Sequence, residues 1–347
     1  MTALLAEKPS TSFTSTRVNE STLLVIEDDA FGEGPYIYVK IYPQHILLND
    51  TGCNNPRQKH QSLTSLRQYL ENYPLSILDG QCLNPGGQKK YVIICSHCHY
   101  DHILGIPQFL DANPTIVASD FERSFILKDL PTNSLCKYVN VPTPQYEVTH
   151  WARHMEYFSL DGHPSRVQFL HVPGHTPDSL AWYDIDEHHL YVGDTFYERK
   201  RAVPVPELPN KVYQVSGEPT MAGSILFPEE GGDLIQYMSS LDTLYSFVLF
   251  KNAELRRQHG SSHDPFPRVK VGCGHLTFDA DAEYTIHGVR GLFERIIAGK
   301  IPVTSSFEKR GVVHNFWLES EESRYSVIAP RHVAEEARKH FHPEAST

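Results

Sequence analysis

The sequence has 347 residues, of which 40% are hydrophobic and 21% charged, a composition typical of a soluble globular protein with a sizeable core. Its formal net charge of −11 disfavours nucleic acid as the main partner, because binding to a phosphate backbone requires a basic surface. No apolar run approaches the roughly 18 residues that a transmembrane helix needs, so no membrane partner is expected.

The N-terminal segment, residues 1–22, is predicted to be a flexible tail. It is rich in serine and threonine and lacks the apolar stretch of a secretory signal, which favours a cytoplasmic protein. The six cysteines are spread thinly over the chain, as expected for free thiols in a reducing compartment. Cys95 and Cys98 form a C-x-x-C pair, but no second pair completes a four-cysteine zinc site.

Residue patterns in the first half of the chain predict four strands and one helix. Aromatic, aliphatic and β-branched runs predict the strands, and apolar residues at helical spacing predict the helix. The predicted strands cover residues 36–42, 45–49, 91–95 and 114–118, and the helix covers 62–73. The run 91–95 is continuously apolar, like a buried strand, and leads directly into the histidine-rich segment 96–105.

Residue patterns in the second half of the chain predict further strands and helices on either side of a proline-rich segment. Predicted strands cover 165–171, 179–184, 189–192 and 268–271, with a hairpin from 311–318 and 325–329; predicted helices cover 234–248, 282–297 and 332–340. The segment 198–232 contains five prolines and no regular periodicity. Loops of this length are often functional, so we expect it to form a wall of the substrate pocket with Val203, Val205 and Leu208.

The segment His97-Cys98-His99-Tyr100-Asp101-His102 carries the main functional signal. In an extended chain His97 and His99 point to the same side and can bind one ion together. If a helix follows, Asp101 and His102 project onward and can bind a second ion nearby. Imidazole and carboxylate are the ligands that zinc prefers, so the motif predicts a two-metal site, with iron or manganese as alternatives.

Three further candidate ligands follow other predicted strands. They are His175 in a Pro-Gly-His turn, Asp194 in Gly-Asp-Thr and His275 in Gly-Cys-Gly-His. Each lies beside glycine, which lets the backbone approach a metal closely. A single histidine after a strand is a weak signal, but together with the first motif the three complete one consistent ligand set.

This ligand pattern, from Asp50 to His275, resembles the metallo-β-lactamase superfamily. The resemblance implies an α/β fold, the four-layer αββα sandwich, over residues 23–302, with 303–347 as a hairpin and helix extension packed on the same domain. It implies that His97, His99 and His175 bind the first metal and that Asp101, His102 and His275 bind the second. Asp194 would bridge both, and Asp50 would orient a ligand without binding metal.

The resemblance also implies a mechanism. Two divalent cations generate hydroxide from a bridging water at neutral pH, and the hydroxide attacks a carbonyl. Tyr197, three residues beyond Asp194, matches the spacing of a tyrosine that contacts the substrate carbonyl in related lactonases; the alternative is that it only packs in the core. Asp101 is a candidate general acid for the leaving oxygen.

The predicted function is therefore hydrolysis of a lactone or another carboxylic ester of small-molecule size. A bridging aspartate at 194 resembles the lactonase and glyoxalase II branches, so a thioesterase remains an alternative, as does an iron-dependent persulfide dioxygenase. A nuclease would need a basic channel, and a non-catalytic binding module would not need the full ligand set. The pairs His188-His189 and His340/His342 are predicted to be surface histidines. The oligomeric state is left open.

Overall fold

The computed structural model describes residues 8–199, 221–260 and 266–343. The chain forms two compact units. The first comprises residues 1–118 and 130–151, and the second comprises 119–129 and 152–347. Both sheets and helices occur in the described part of the chain, which confirms the predicted α/β class.

The first unit is built on a seven-stranded sheet whose strands lie in chain order. Strands β1 to β4 pair antiparallel, whereas β4, β5 and β6 pair parallel. The strands are β1 (Phe13–Arg17), β2 (Thr22–Glu27), β3 (Tyr36–Ile41), β4 (His45–Asn49), β5 (Lys90–Ile94), β6 (Thr115–Ser119) and β7 (His150–Ala152). The parallel strands β4 and β5 end side by side, so the residues that follow them meet at one edge of the sheet.

Helix α1 (Leu66–Asn72) covers one face of this sheet. It begins at Ser65, whose hydroxyl accepts a hydrogen bond from the Gln68 backbone N–H, and its apolar residues pack with the inward residues of β2 to β5. A one-turn helix, α2 (Tyr100–Ile103), follows β5 and contains part of the histidine motif.

Within the described residues 8–22, strand β1 corrects the prediction of a flexible tail, which was made for residues 1–22. It pairs along its whole length with β2, and the Phe13 ring packs 5.3 Å from the Tyr69 ring. The sequence Phe-Thr-Ser-Thr-Arg shows little hydrophobicity because β1 is an edge strand that buries mainly Phe13.

The second unit contains two sheets. The six-stranded sheet has the order β14-β13-β11-β10-β9-β8, and the four-stranded sheet has the order β12-β17-β16-β15. The strands are β8 (Tyr157–Leu160), β9 (His163–His171), β10 (Leu180–Asp184), β11 (His189–Tyr191), β12 (Ile225–Leu226), β13 (Lys270–Gly272), β14 (Ala280–Asp281), β15 (Ser305–Lys309), β16 (Val312–Trp317) and β17 (Val327–Pro330). The predicted hairpin is confirmed as the antiparallel pair β16–β17, and β15 was not predicted.

The described residues contain four further α-helices, namely α3 (Ser124–Asn133), α4 (Leu234–His259), α5 (Ala282–Ile297) and α6 (Arg331–Phe341). Asp233 and Asp281 cap α4 and α5 by accepting backbone N–H groups of the first turn. The core of the second unit joins the apolar faces of α4, α5 and α6 with inward residues of both sheets. No helix of residues 8–199, 221–260 and 266–343 is long and apolar enough to cross a membrane.

Candidate metal centre

The histidine motif lies where β5 ends and α2 begins, and each of its six residues is buried. His99 keeps an extended backbone just before the helix, so His97 and His99 lie on the same side of the chain. The His97 Nε2 atom is 2.9 Å from the His99 Nδ1 atom. The His97 and His102 ring centroids are 4.2 Å apart, and Asp101 Oδ2 lies 3.2 Å from His102 Nε2. Four donor side chains therefore converge within one short segment.

The Asp50 side chain, which is fully buried, holds this segment in place. Its carboxylate accepts hydrogen bonds from the Ser96 backbone N–H (2.7 Å), the Ser96 hydroxyl (2.7 Å) and the Asn49 amide (3.0 Å). It also accepts a hydrogen bond from His102 Nδ1 at 2.8 Å. Because the proton sits on Nδ1, the other ring nitrogen of His102 keeps its lone pair for a metal.

The backbone around Asp50 is equally constrained. Asp50 has a left-handed conformation (φ 66°), which aspartate tolerates better than most residues. Thr51 donates both its N–H (2.8 Å) and its hydroxyl (2.9 Å) to the His102 carbonyl. A side chain at Gly105 would come within 2.2 Å of the Thr51 carbonyl oxygen, so this close approach requires glycine. The Asp50 turn and α2 thus form one rigid support for the motif.

In the second unit, His175 lies in a tight turn after β9. Its Nδ1 donates a 2.7 Å hydrogen bond to the Leu226 carbonyl, which orients the ring and leaves Nε2 as the possible ligand atom. The preceding Gly174 has φ 140°, and a Cβ there would lie 2.5 Å from the Cα of Tyr237. Only glycine allows the turn to pack this closely on α4.

Asp194 and His275 are brought together by the parallel pairing of β11 and β13. Each residue follows one of these strands, and Gly274 N–H donates to the Gly193 carbonyl at 2.7 Å, joining the two loops. As a result, His275 Nε2 lies 3.4 Å from Asp194 Oδ2.

Tyr197 lies beside His275, with ring centroids 5.6 Å apart at 75°. Its side chain is 7% exposed and also belongs to the apolar core of the second unit. The position is compatible with both interpretations of this tyrosine, contact with substrate and packing, so its catalytic role stays a prediction.

The candidate ligand atoms form two groups, and within each group they lie within 4.8 Å of one another. The first group comprises His97, His99 and His175, and the second comprises Asp101, His102, Asp194 and His275. These are the seven residues predicted as ligands, in the two sets proposed for the two ions, with Asp194 in the second set. The nitrogen and oxygen donors fit a borderline divalent cation.

The tyrosine within the motif connects it to a neighbouring loop. Tyr100 donates its hydroxyl to the Glu33 carboxylate, and its ring packs edge-on against Phe31 at 5.4 Å. Burial raises the pKa of the Tyr100 phenol well above its ordinary value, and the negative charges of Asp101 and Glu33 add to the shift. Tyr100 therefore remains a protonated donor at all physiological pH values.

The structure corrects one prediction about the other histidines. His189 was predicted to lie on the surface but is buried in β11, where its ring stacks on Tyr191 at 4.6 Å. Burial lowers its pKa to about 3, so the ring is neutral at pH 7. A histidine pair beside a turn gives no sequence signal that distinguishes burial from exposure. His340 and His342 are exposed, as predicted.

The proline-rich segment 198–232 is described only at its two ends. Glu198 and Arg199 follow Tyr197, and the chain is described again from Met221. Val203, Val205 and Leu208 lie outside the described residues. Ile225 and Leu226 form β12, so part of this segment is a strand that the sequence pattern did not predict.

Comparison with known proteins supplies the family. Residues 45–246 match the model of the metallo-beta-lactamase superfamily. A protein of Aspergillus versicolor named "Putative transcription factor avaE" is 31% identical over 350 residues, covering 97% of this chain and 92% of that protein.

Solved structures of low sequence identity are also similar to this chain. A metallo-beta-lactamase family protein of Thermus thermophilus, TTHA1429, has a TM-score of 0.50 and 15% identity, with 82% of this chain and 84% of that chain covered. The FEZ-1 metallo-beta-lactamase of Legionella gormanii has a TM-score of 0.48 and 14% identity, with 84% and 98% covered.

Proposed function

Because the chain belongs to the metallo-β-lactamase superfamily, we propose that it is a two-metal hydrolase that cleaves a lactone or another carboxylic ester. Family membership also confirms the predicted fold. The observation that carries the proposal is the pair of donor groups, which contains all seven candidate ligands. A metal-dependent hydrolase is the general conclusion, and the ester or lactone bond is the specific part of the proposal.

The donor sets support the following assignment. His97, His99 and His175 would hold one ion, and Asp101, His102, Asp194 and His275 would hold the other. The family resemblance adds that Asp194 would be shared between the two ions. Zinc suits these ligands best, and iron or manganese are the alternatives. When bound, two such ions would supply Lewis acidity that activates a water at neutral pH and polarises a carbonyl group.

Residues of the chain then have distinct tasks. Asp50 and the Leu226 carbonyl fix the ring orientations of His102 and His175. Tyr197, next to His275, is proposed to donate a hydrogen bond to the substrate carbonyl oxygen. Asp101 is proposed to take up the proton that the attacking water loses and to deliver it to the leaving oxygen when the ester C–O bond breaks.

We propose that the substrate is a small molecule with an apolar acyl part, bound against the segment 198–232. This segment begins directly after Tyr197, so its first residues lie near the centre by chain continuity. The six cysteines are free, which supports a reducing, cytoplasmic location.

Two other activities are distinguishable by measurement. A thioesterase would share the metals but prefer thioesters, and a persulfide dioxygenase would contain a single iron. The second donor group, with Asp101, His102 and His275, favours two metals over one. The name of the fungal relative raises a DNA-binding role, which the net charge of −11 disfavours.

The decisive experiment combines metal analysis with a substrate screen. Purified protein is reconstituted with Zn²⁺, Mn²⁺ or Fe²⁺, and metal per chain is measured by elemental analysis. Lactones, thioesters, β-lactams and phosphodiesters are then tested, with Asp194→Ala as the inactive control. Two ions per chain and hydrolysis of lactones or esters are expected. One iron per chain with sulfur oxidation, or no hydrolysis of any ester, would refute the proposal.

A further inference from the structure

The four-stranded sheet includes a strand from the middle of the chain. Strand β12 pairs in parallel with β17, and Ile225 N–H donates to the Ser326 carbonyl at 2.9 Å. Phe227 N–H donates to the Ile328 carbonyl at 2.9 Å, and the Ser224 and Ser326 hydroxyls are 2.8 Å apart. These contacts fix the position of the Leu226 carbonyl, which accepts the hydrogen bond from His175.

A second set of contacts starts from the residues just before β17. Arg324 Nε donates to Glu198 Oε1 at 2.6 Å, and its terminal nitrogen forms an ion pair with the same carboxylate. The Arg324 carbonyl accepts a 2.8 Å hydrogen bond from the Arg199 N–H. The Glu198 side chain is only 4% exposed, so its charge requires this partner.

Glu198 connects this ion pair to the candidate centre. It is adjacent to Tyr197 and four residues beyond Asp194, and its N–H donates to the Thr277 hydroxyl at 2.9 Å. Thr277 in turn is two residues beyond His275. The Glu198–Arg324 pair therefore fixes the loop that carries Asp194 and Tyr197 against the loop that carries His275.

Both sets of contacts originate from residues 324–328, which we call the C-terminal clamp. We propose that the C-terminal clamp positions the metal centre of this hydrolase, and that Arg324 is a positioning residue for Asp194, Tyr197 and His275. The proposal rests on the proposed function for its metal centre. It assigns to residues well outside the family-matched range 45–246 a role in metal affinity and turnover.

The charge and shape of the guanidinium make the proposal specific. Arg324 contacts Glu198 through two nitrogens, a geometry that lysine reproduces only in part. Its guanidinium also lies 4.8 Å from the Tyr284 ring centroid, which restricts its own movement. Arg324→Ala should leave Glu198 free to move away and take the Asp194 loop with it.

The test measures metal affinity and kinetics in Arg324→Ala, Arg324→Lys, Glu198→Gln and the double variant. Zinc dissociation constants are obtained by competition with a chromophoric chelator, which does not depend on activity. The matched control is Glu319→Gln, which weakens an exposed ion pair with Arg295 in the same region of the chain. Unfolding is followed by circular dichroism to show that each variant is folded.

Arg324→Ala is expected to weaken one of the two zinc sites by roughly tenfold and to lower kcat at saturating metal, with a smaller change in KM. Arg324→Lys should recover part of both losses. Glu198→Gln should also weaken zinc binding and lower kcat. The double variant should lose no more zinc affinity or kcat than the more severe single variant, because both substitutions break the same contact.

The possible failures are distinguishable. Zinc affinities and kcat equal to those of Glu319→Gln, with or without a lower melting temperature, would show that the C-terminal clamp only stabilises the fold, and the inference would be wrong while the proposed function stood. A wild-type chain that binds no divalent metal would refute the proposed function, and the inference with it, before any variant is compared.

Discussion

Asp50 offers the sharpest test of the candidate centre, because Asp50→Asn changes its charge while keeping its size. The backbone at this position is left-handed, a conformation that asparagine adopts readily, so the turn should persist. The carboxylate accepts four hydrogen bonds, one at Oδ1 and three at Oδ2. An amide has only one acceptor oxygen. Whichever way it is oriented, its NH₂ group faces at least one donor.

The magnitude follows from these contacts. If the amide oxygen replaces Oδ2, the Ser96 N–H loses its acceptor, at a cost of about 1–3 kcal/mol in the free energy of unfolding. If it replaces Oδ1, the NH₂ group faces His102 Nδ1 and drives the proton to Nε2, where it blocks metal binding. In both cases His102 loses its negatively charged partner, and metal affinity should fall about 10- to 100-fold.

The assay is zinc affinity by chelator competition, together with urea unfolding of the metal-free protein. Asp79→Asn is the matched control, because Asp79 is exposed and has a similar left-handed backbone (φ 53°). The expected result is weaker binding of one zinc ion in Asp50→Asn only. Wild-type zinc affinity in a folded Asp50→Asn protein would refute the role of Asp50 in orienting His102.

Other perturbations separate the remaining assignments. Asp194→Ala should reduce metal below two ions per chain and abolish hydrolysis while circular dichroism stays unchanged; full activity would contradict a shared carboxylate. Tyr197→Phe keeps the ring contact with His275 and should lower kcat about 100-fold at unchanged metal content, whereas unchanged kcat would favour a packing role. Shortening residues 201–219 should alter KM across acyl lengths more than metal binding, and identical kinetics would place the pocket elsewhere. The pKa of His189 is lowered from 6.5 to about 3 in the folded chain. On acidification His189 therefore binds a proton in the unfolded chain before it does in the folded chain, and the free energy of unfolding falls as the pH drops below 6.5. Between pH 6.5 and 5 this amounts to about 2 kcal/mol, which His189→Phe should remove in urea titrations.

The candidate ligands could be proposed from the sequence because each combines a side chain of metal-binding type with a position just after a predicted strand. His97 and His99 follow an apolar strand, and Asp194 and His275 follow two strands that pair in parallel. The position of each side chain relative to the preceding strand therefore indicated which side chains would lie close together. Asp50, which follows β4 next to β5, was singled out by the family resemblance and not by this reasoning.

The supporting contacts were not predictable in this way. Leu226 contributes a backbone carbonyl, which every residue has, so its side chain gives no indication of the contact with His175. Glu198 and Arg324 are separated by 126 positions in the chain, and a charged pair at that distance has no sequence signature. Strand β1 was missed because its sequence is mostly polar. All three features depend on contacts between distant parts of the chain, which local sequence propensity does not indicate.

The parallel pairing of β12 with β17 also bears on how the protein is made. Leu226 and its register partner Ile328 are about 100 residues apart, and at typical synthesis rates of 5–20 residues per second the partner emerges on the order of 5–20 s later. Until then, the backbone acceptor for His175 lacks the neighbouring strand that holds it. Under the proposed function, stable metal loading is consequently a late event in biogenesis. A nascent polypeptide still attached to the ribosome would carry the histidine motif without a finished cation site.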